Sequence, residues 1–189
     1  MKCAIYIIKT LIYWFTEPLV GIGGRRSKAD EEYIECLRQA TPGATLIQVV
    51  DTRPMVNAKA NMAGGKGHES DKFYENMRFS FKGIENIHKM RKSIEHVDFN
   101  ILGSATTLSM DVFMTELANS GWLKHIRAVL DTSQYIVNFI LDGYPVMVHC
   151  SDGWDRTSQT CALACLMLDG YYVRFFSHYS CVSNKCTVP

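Results

Sequence analysis

Hydrophobic and polar positions follow two different periods along this chain. Residues 45–50 (Thr-Leu-Ile-Gln-Val-Val) form a short run rich in β-branched side chains, which reads as a buried strand. Residues 77–82 (Met-Arg-Phe-Ser-Phe-Lys) alternate apolar and polar and read as another strand. Other stretches keep the helical period. Ser27 to Asp30 resembles a helix start, and Tyr33, Ile34 and Leu37 then form one apolar face up to Thr41-Pro-Gly43. Pro54 fits the first turn of a second helix, running toward Gly64 and Gly65. Trp122, Ile126, Val129, Ser133, Ile136 and Ile140 keep helical spacing over several turns, just before a short apolar run at 146–148. Residues 3–16 are the most apolar stretch. They are too short to span a bilayer, Lys9 interrupts them, and they read as a strand. There is no internal repeat. Helix and strand patterns alternate, so the fold expected is α/β with helices flanking a sheet.

The apolar run at 146–148 leads into His149 and Cys150, and Arg156 and Thr157 follow where the next helical pattern opens. A strand, a tight loop and a helix in that order build a phosphate cradle with a nucleophile at its mouth. A free thiol, with a pKa of about 8.5, is mostly protonated at neutral pH. At a helix N-terminus Cys150 meets the positive end of the dipole and a fan of backbone N–H groups, both of which favour the thiolate and attract phosphate. Residues 151–156 can wrap their N–H groups around phosphate oxygens, with Gly153 free to take an unusual backbone angle. The planar fork of Arg156 can bind two oxygens at once. Thr157 can donate its hydroxyl to the sulfur. The reaction implied is attack on phosphorus, a cysteinyl-phosphate intermediate and hydrolysis. Asp152 and Asp155 lie within the loop. Asp155 is favoured as general acid and then base, with Asp152 binding substrate hydroxyls or orienting the loop. A bare Cys-x5-Arg is a weak signal and a buried cysteine is usually a small apolar filler; the strand before it and the helix after it favour the phosphate loop.

The filling of that loop is more specific than its ends. Residues 149–157 (His-Cys-Ser-Asp-Gly-Trp-Asp-Arg-Thr) resemble the signature of the myotubularin family of phosphoinositide phosphatases. Residues 50–54 (Val-Asp-Thr-Arg-Pro) and 57–61 (Asn-Ala-Lys-Ala-Asn) resemble a second family block. Similar likenesses lie at residues 83–91, 119–126 and 166–172. The resemblance runs from about Glu17 to Tyr172. It implies a cysteine-phosphatase-like sheet and removal of the 3-phosphate of phosphatidylinositol 3-phosphate and phosphatidylinositol 3,5-bisphosphate. It makes Cys150 the nucleophile and sets Ser151, Asp152, Gly153, Trp154, Asp155 and Arg156 against the phosphate or inositol. Asn61, Asn86 and the Ile87 backbone match positions near the inositol ring. Without the resemblance, each asparagine reads as a turn or helix cap. No cofactor or metal is expected. The expected partner is a phosphoinositide headgroup at a membrane surface, with homo- or hetero-dimers of family members also open. The expected location is cytoplasmic, peripheral to endosomal or other phosphoinositide-bearing membranes.

The likeness divides the chain into an apolar N-terminal segment at 1–16, a partial phosphatase domain at 17–172 and a divergent tail at 173–189. Residues 94–108 match poorly. Family arginines that follow the loop have no counterpart in context, with Arg174 as a substitute that no spacing argument supports. A truncated domain of this kind is expected to leave apolar surface uncovered. Composition adds bounds. The 189 residues suit one domain, and a net charge of +1 gives no global field pointing to nucleic acid. Arg25, Arg26 and Lys28 form a small basic cluster that reads as a solvated loop. The seven cysteines show no paired metal spacing; Cys161 and Cys165, four apart, are expected on one buried helix face. A catalytic thiolate fits a reducing compartment. Lys2 before an apolar run has the outline of a signal peptide, but no small-residue cleavage site follows. Residues 64–67 (Gly-Gly-Lys-Gly) lack the flanks of a nucleotide-binding loop and read as a flexible loop. Two rival functions stay open: a protein tyrosine or dual-specificity phosphatase, and a truncated lipid- or partner-binding module with weak or no turnover.

Overall fold

The computed structural model describes residues 3–7, 10–19, 26–69, 73–74, 76–98, 109–170 and 172. The tail at 173–189 with Arg174, the Arg25 side chain, and Cys181 and Cys186 lie outside them. Five strands and six helices are described: β1 Cys3–Ile7, β2 Thr10–Phe15, α1 Lys28–Gln39, β3 Ile47–Asp51, α2 Met55–Met62, β4 Met77–Phe81, α3 Ile87–His96, α4 Met110–Ser120, α5 Trp122–Leu141, β5 Val146–His149 and α6 Arg156–Leu168. The strands form one sheet in the order β1-β2-β5-β3-β4. From β2 to β4 all neighbours are parallel, and β1 runs antiparallel to β2. The stretch expected as a single strand at 3–16 is therefore two strands folded back on each other, with Ile7 opposite Thr10.

Both faces of the central strands β3 and β5 are covered, which is why they sit in near-continuous apolar runs. Period-2 geometry sends Ile12 and Trp14 of β2, Val50 of β3, and Val146 and Val148 of β5 to one face. There they pack on Ile136, Val137 and Ile140 of α5 and on Cys161, Ala164 and Cys165 of α6. The two cysteines do share a buried helix face. Tyr13 and Phe15, Ile47 and Val49, and Met147 point the other way, onto Ile34 and Leu37 of α1. Ser27 caps α1 by accepting the Asp30 N–H. Pro54 stands one position earlier than expected, at the N-cap of α2. Arg26 forms a surface pair with Glu31, which accounts for its charge locally. Met110, Val112 and Met114 on α4 and Leu123, Ile126 and Leu130 on α5 are exposed.

The same alternation places Asp51 and His149 at the strand ends on the α1 side, and Cys150 just beyond the end of β5. The C-terminal ends of β2, β5 and β3 thus meet at one edge of the sheet, the usual location of a site in a parallel α/β fold.

Candidate active site

Residues 150–155 turn tightly between β5 and α6. The Gly153 backbone makes the turn with φ +76°, and its N–H lies 3.1 Å from the Cys150 Sγ. A Cβ at Gly153 would come within 2.8 Å of the Phe15 carbonyl oxygen, so the loop lies directly against the end of β2. Two further bonds tie it there. The Trp14 indole donates to the Gly153 carbonyl at 2.5 Å, and the Glu17 N–H donates to the Ser151 carbonyl at 3.2 Å. The N-terminal apolar strand β2 is thus the floor of the loop.

No side chain caps α6. Its first N–H groups point toward the loop, an arrangement that suits an anion. Burial of Cys150 raises the thiol pKa, but the Thr157 hydroxyl and N–H and the Gly153 and Asp152 N–H groups outweigh it. The net effect favours the thiolate. Arg156 is almost wholly buried, its Nη2 lies 3.5 Å from the Ser151 Oγ, and its Nε has no hydrogen-bond partner among the described residues. A buried guanidinium with an unused donor beside a thiolate is a site prepared for an anion.

A buried ionic frame supports the loop. Arg53 is fully buried. Its Nε and Nη2 bond Asp51 at 2.9 and 2.7 Å, its Nη1 bonds Glu17, and its Nη2 also reaches the Gly67 carbonyl at 2.8 Å. Burial alone would destabilise the cation; Asp51 and Glu17 override it and raise its pKa. The Asn61 amide donates to both Glu17 oxygens at 3.1 and 3.2 Å and approaches the Ser151 Oγ at 3.5 Å. Lys66 stands 3.3 Å from Glu17 and 3.6 Å from Asp152. Behind the nucleophile, the His149 Nε2 lies 3.1 Å from the Glu69 Oε2, and the Nδ1 lies 3.2 Å from the Cys150 carbonyl. The buried Glu69 carboxylate, lying against the ring, favours its charged form. Burial works against that charge, but Glu69 raises the His149 pKa to about 9.

The structure therefore brings Cys150, Ser151, Asp152, Gly153, Arg156 and Asn61 together. Asp155 precedes α6 and its Oδ1 accepts from the Gln159 amide. The Trp154 ring is 75% exposed. Asn86 caps α3 by accepting the Lys89 N–H at 3.0 Å, and Ile87 is the exposed first residue of that helix. Their segment approaches the sheet edge through Ile84, whose N–H donates to the Thr52 carbonyl at 2.8 Å. Glu17, Lys66 and Glu69 had no expected role. Glu17 follows an apolar strand without a motif, and the loop read as flexible at 64–67 carries Lys66 into the site. Asp51 and Arg53 were legible only as part of a family block.

The profile of the myotubularin-like phosphatase domain matches residues 5–180. Among curated proteins, the chain is 48% identical over 163 residues to the phosphatidylinositol-3,5-bisphosphate 3-phosphatase MTMR8 of Gallus gallus, covering 85% of this chain and 25% of that protein. It is 46% identical over 158 residues to the phosphatidylinositol-3-phosphate phosphatase MTMR7 of Mus musculus (83% and 24% covered). It is 47% identical over 158 residues to the phosphatidylinositol-3,5-bisphosphate 3-phosphatase MTMR6 of Mus musculus (83% and 25%). The chain spans about a quarter of the length of these relatives.

Proposed function

The chain belongs to the myotubularin-like phosphatase family, and from that membership we propose that it removes the 3-phosphate of phosphatidylinositol 3-phosphate and phosphatidylinositol 3,5-bisphosphate. The observation that carries the reading is the Cys150 sulfur held 3.1 Å from the Gly153 N–H, with the buried Arg156 closing the same loop. The thiolate attacks phosphorus, and the bond from phosphorus to the inositol oxygen breaks. A proton from the Asp155 carboxyl goes to the departing oxygen. Water then attacks the cysteinyl-phosphate, Asp155 takes a proton back, and the sulfur–phosphorus bond breaks to restore the thiolate. The N–H groups of 151–156 and the Arg156 guanidinium hold the phosphate oxygens in both steps.

The two aspartates divide by their partners. Asp152 faces a cation, Lys66, and serves as an ion-pair and hydroxyl-binding group. Asp155 accepts from a neutral amide, Gln159. Asn61, placed beside Ser151, can both donate to and accept from ring hydroxyls, and the exposed Trp154 ring can lie along the headgroup. Asn86 and Ile87 complete the ring contacts in this reading. The substrate is a lipid, so the protein works at the cytoplasmic surface of phosphoinositide-bearing membranes, alone or as a dimer with family members.

Phosphate release from vesicles containing phosphatidylinositol 3-phosphate is expected from the chain and not from Cys150→Ser. Equal release from both would remove Cys150 from the chemistry. No release from either, in folded protein, would favour a binding module; release from phosphotyrosine peptide alone would favour a protein phosphatase. Asp155→Asn is expected to make the rate depend strongly on the leaving group. If Asp152→Asn alone changed that dependence, the two roles would be exchanged.

A further inference from the structure

Glu69 lies 81 positions before the nucleophile in sequence, yet its carboxylate begins a buried chain of contacts that ends on it. Glu69 Oε2 meets His149 Nε2 at 3.1 Å, and His149 Nδ1 meets the Cys150 carbonyl at 3.2 Å. His149 is fully buried and Glu69 nearly so, so water cannot replace either partner. Of the other charged or titratable groups around the ring, Asp51 also favours its charged form, but less than Glu69 does. Asp51 is engaged by the Arg53 guanidinium, and Arg53 is itself positive. His68 packs against Phe79 and Phe81 and is pushed by burial toward its neutral form. Glu69 is the carboxylate left to balance the His149 cation.

Two of the three residues before it, Lys66 and Gly67, grip the same site. The Lys66 N–H bonds the Asn61 carbonyl at 3.2 Å, and its ammonium bridges Glu17 and Asp152. The Gly67 carbonyl accepts from Arg53. Segment 66–69 thus holds the nucleophile loop at its mouth through Asp152 and from behind through His149.

We propose that Glu69 is a positioning residue for Cys150, holding His149 as a cation behind the nucleophile so that the thiolate persists at neutral and mildly acidic pH. This rests on the reading of Cys150 as the nucleophile. It predicts a coupling that ordinary packing would not produce: loss of Glu69 matters to the thiol only while His149 is present.

The test is the rate of Cys150 alkylation by iodoacetamide against pH, located by peptide mass mapping, in the whole chain and in Glu69→Gln, Glu69→Asp, His149→Asn and the Glu69→Gln/His149→Asn pair. In Glu69→Gln the midpoint is expected to rise by about one pH unit, slowing alkylation about tenfold on the acid side. Glu69→Asp, which keeps the charge, is expected to restore most of it. Adding Glu69→Gln to His149→Asn is expected to change nothing further. An unchanged midpoint in folded Glu69→Gln would overturn the proposal, as would effects that add in full in the pair. If Glu69→Gln does not fold, an unchanged midpoint in His149→Asn overturns it equally. Alkylation needs no phosphate substrate, so a chain that releases no phosphate still tests this proposal, and the two readings fail separately.

Discussion

Gly153 and Arg53 show how much of this site rests on single side chains, one by having none. At φ +76°, with the Phe15 carbonyl 2.8 Å from any added Cβ, position 153 admits only glycine. Gly153→Ala is expected to cost about 1–2 kcal/mol for the left-handed backbone alone. The collision with β2 adds to that and shifts the N–H that faces the sulfur. Displacement of a catalytic group by about 1 Å costs about a hundredfold in rate. Urea unfolding and phosphate release together check this; a variant with normal stability and normal turnover would mean the loop is not seated on Phe15. Arg53 works in the opposite way, by filling space with charge. A fully buried guanidinium survives because Asp51, Glu17 and the Gly67 carbonyl take up its donors.

Two elements outside the motif hold the loop in place. Strand β2 supplies the floor, through Trp14 and through the backbone of Phe15 and Glu17. Trp14→Phe keeps most of the apolar contact with α5 and α6 but removes the donor to the Gly153 carbonyl. An orphaned buried carbonyl costs about 1–3 kcal/mol, so the unfolding free energy is expected to fall by that amount, the urea midpoint to fall with it, and phosphate release to drop. An unchanged midpoint would show that water reaches the Gly153 carbonyl. The second element is segment 66–69. The glycines at 64, 65 and 67 suggest freedom, but the charged side chains of Lys66 and Glu69 and the Gly67 carbonyl are each engaged by the site. Helix α6 contributes by what it lacks: without a capping side chain, its first turn offers N–H groups to the sulfur and to an incoming phosphate.

The buried ions also set how the stability of the whole domain depends on pH. His149 has a folded pKa of about 9, above its ordinary 6.5. Its contribution is fully present below pH 6.5 and is lost as pH rises through 9. For Glu69, burial pushes the carboxyl up, but the His149 charge and hydrogen bond bring it below its ordinary 4.5. That contribution is present above pH 4.5 and is lost as pH falls through the folded value. The pair therefore stabilises most between pH 4.5 and 6.5. Lys82, held down to about 8 by burial, works in the opposite direction at alkaline pH. The clean measurement is the gap in unfolding midpoint between the chain and Glu69→Gln. The gap is expected to be widest in that window and to close by pH 9; a gap that stayed constant to pH 9 would remove the ion pair from the stability of the fold.

Much of this was readable along the chain. Period-2 and helical spacing located β3, β4, α1 and α5, because burial on both sheet faces or on one helix face leaves a regular trace in residue type. The loop from Cys150 to Arg156 was readable because its chemistry is local: nucleophile, turn glycine and guanidinium lie within seven residues. Asn61 was named only through the family likeness, and the amide of Asn86 proved to cap a helix, as its residue type alone suggests. Glu17, Lys66 and Glu69 could not be read in the same way. Each is an ordinary charged residue in sequence, and it acquires a role only when parallel strands from distant parts of the chain end side by side. Burial then forces every charge to find a partner across that edge. Charge pairing in a low-dielectric interior depends on distance in space, and linear spacing records that only for neighbours within one element.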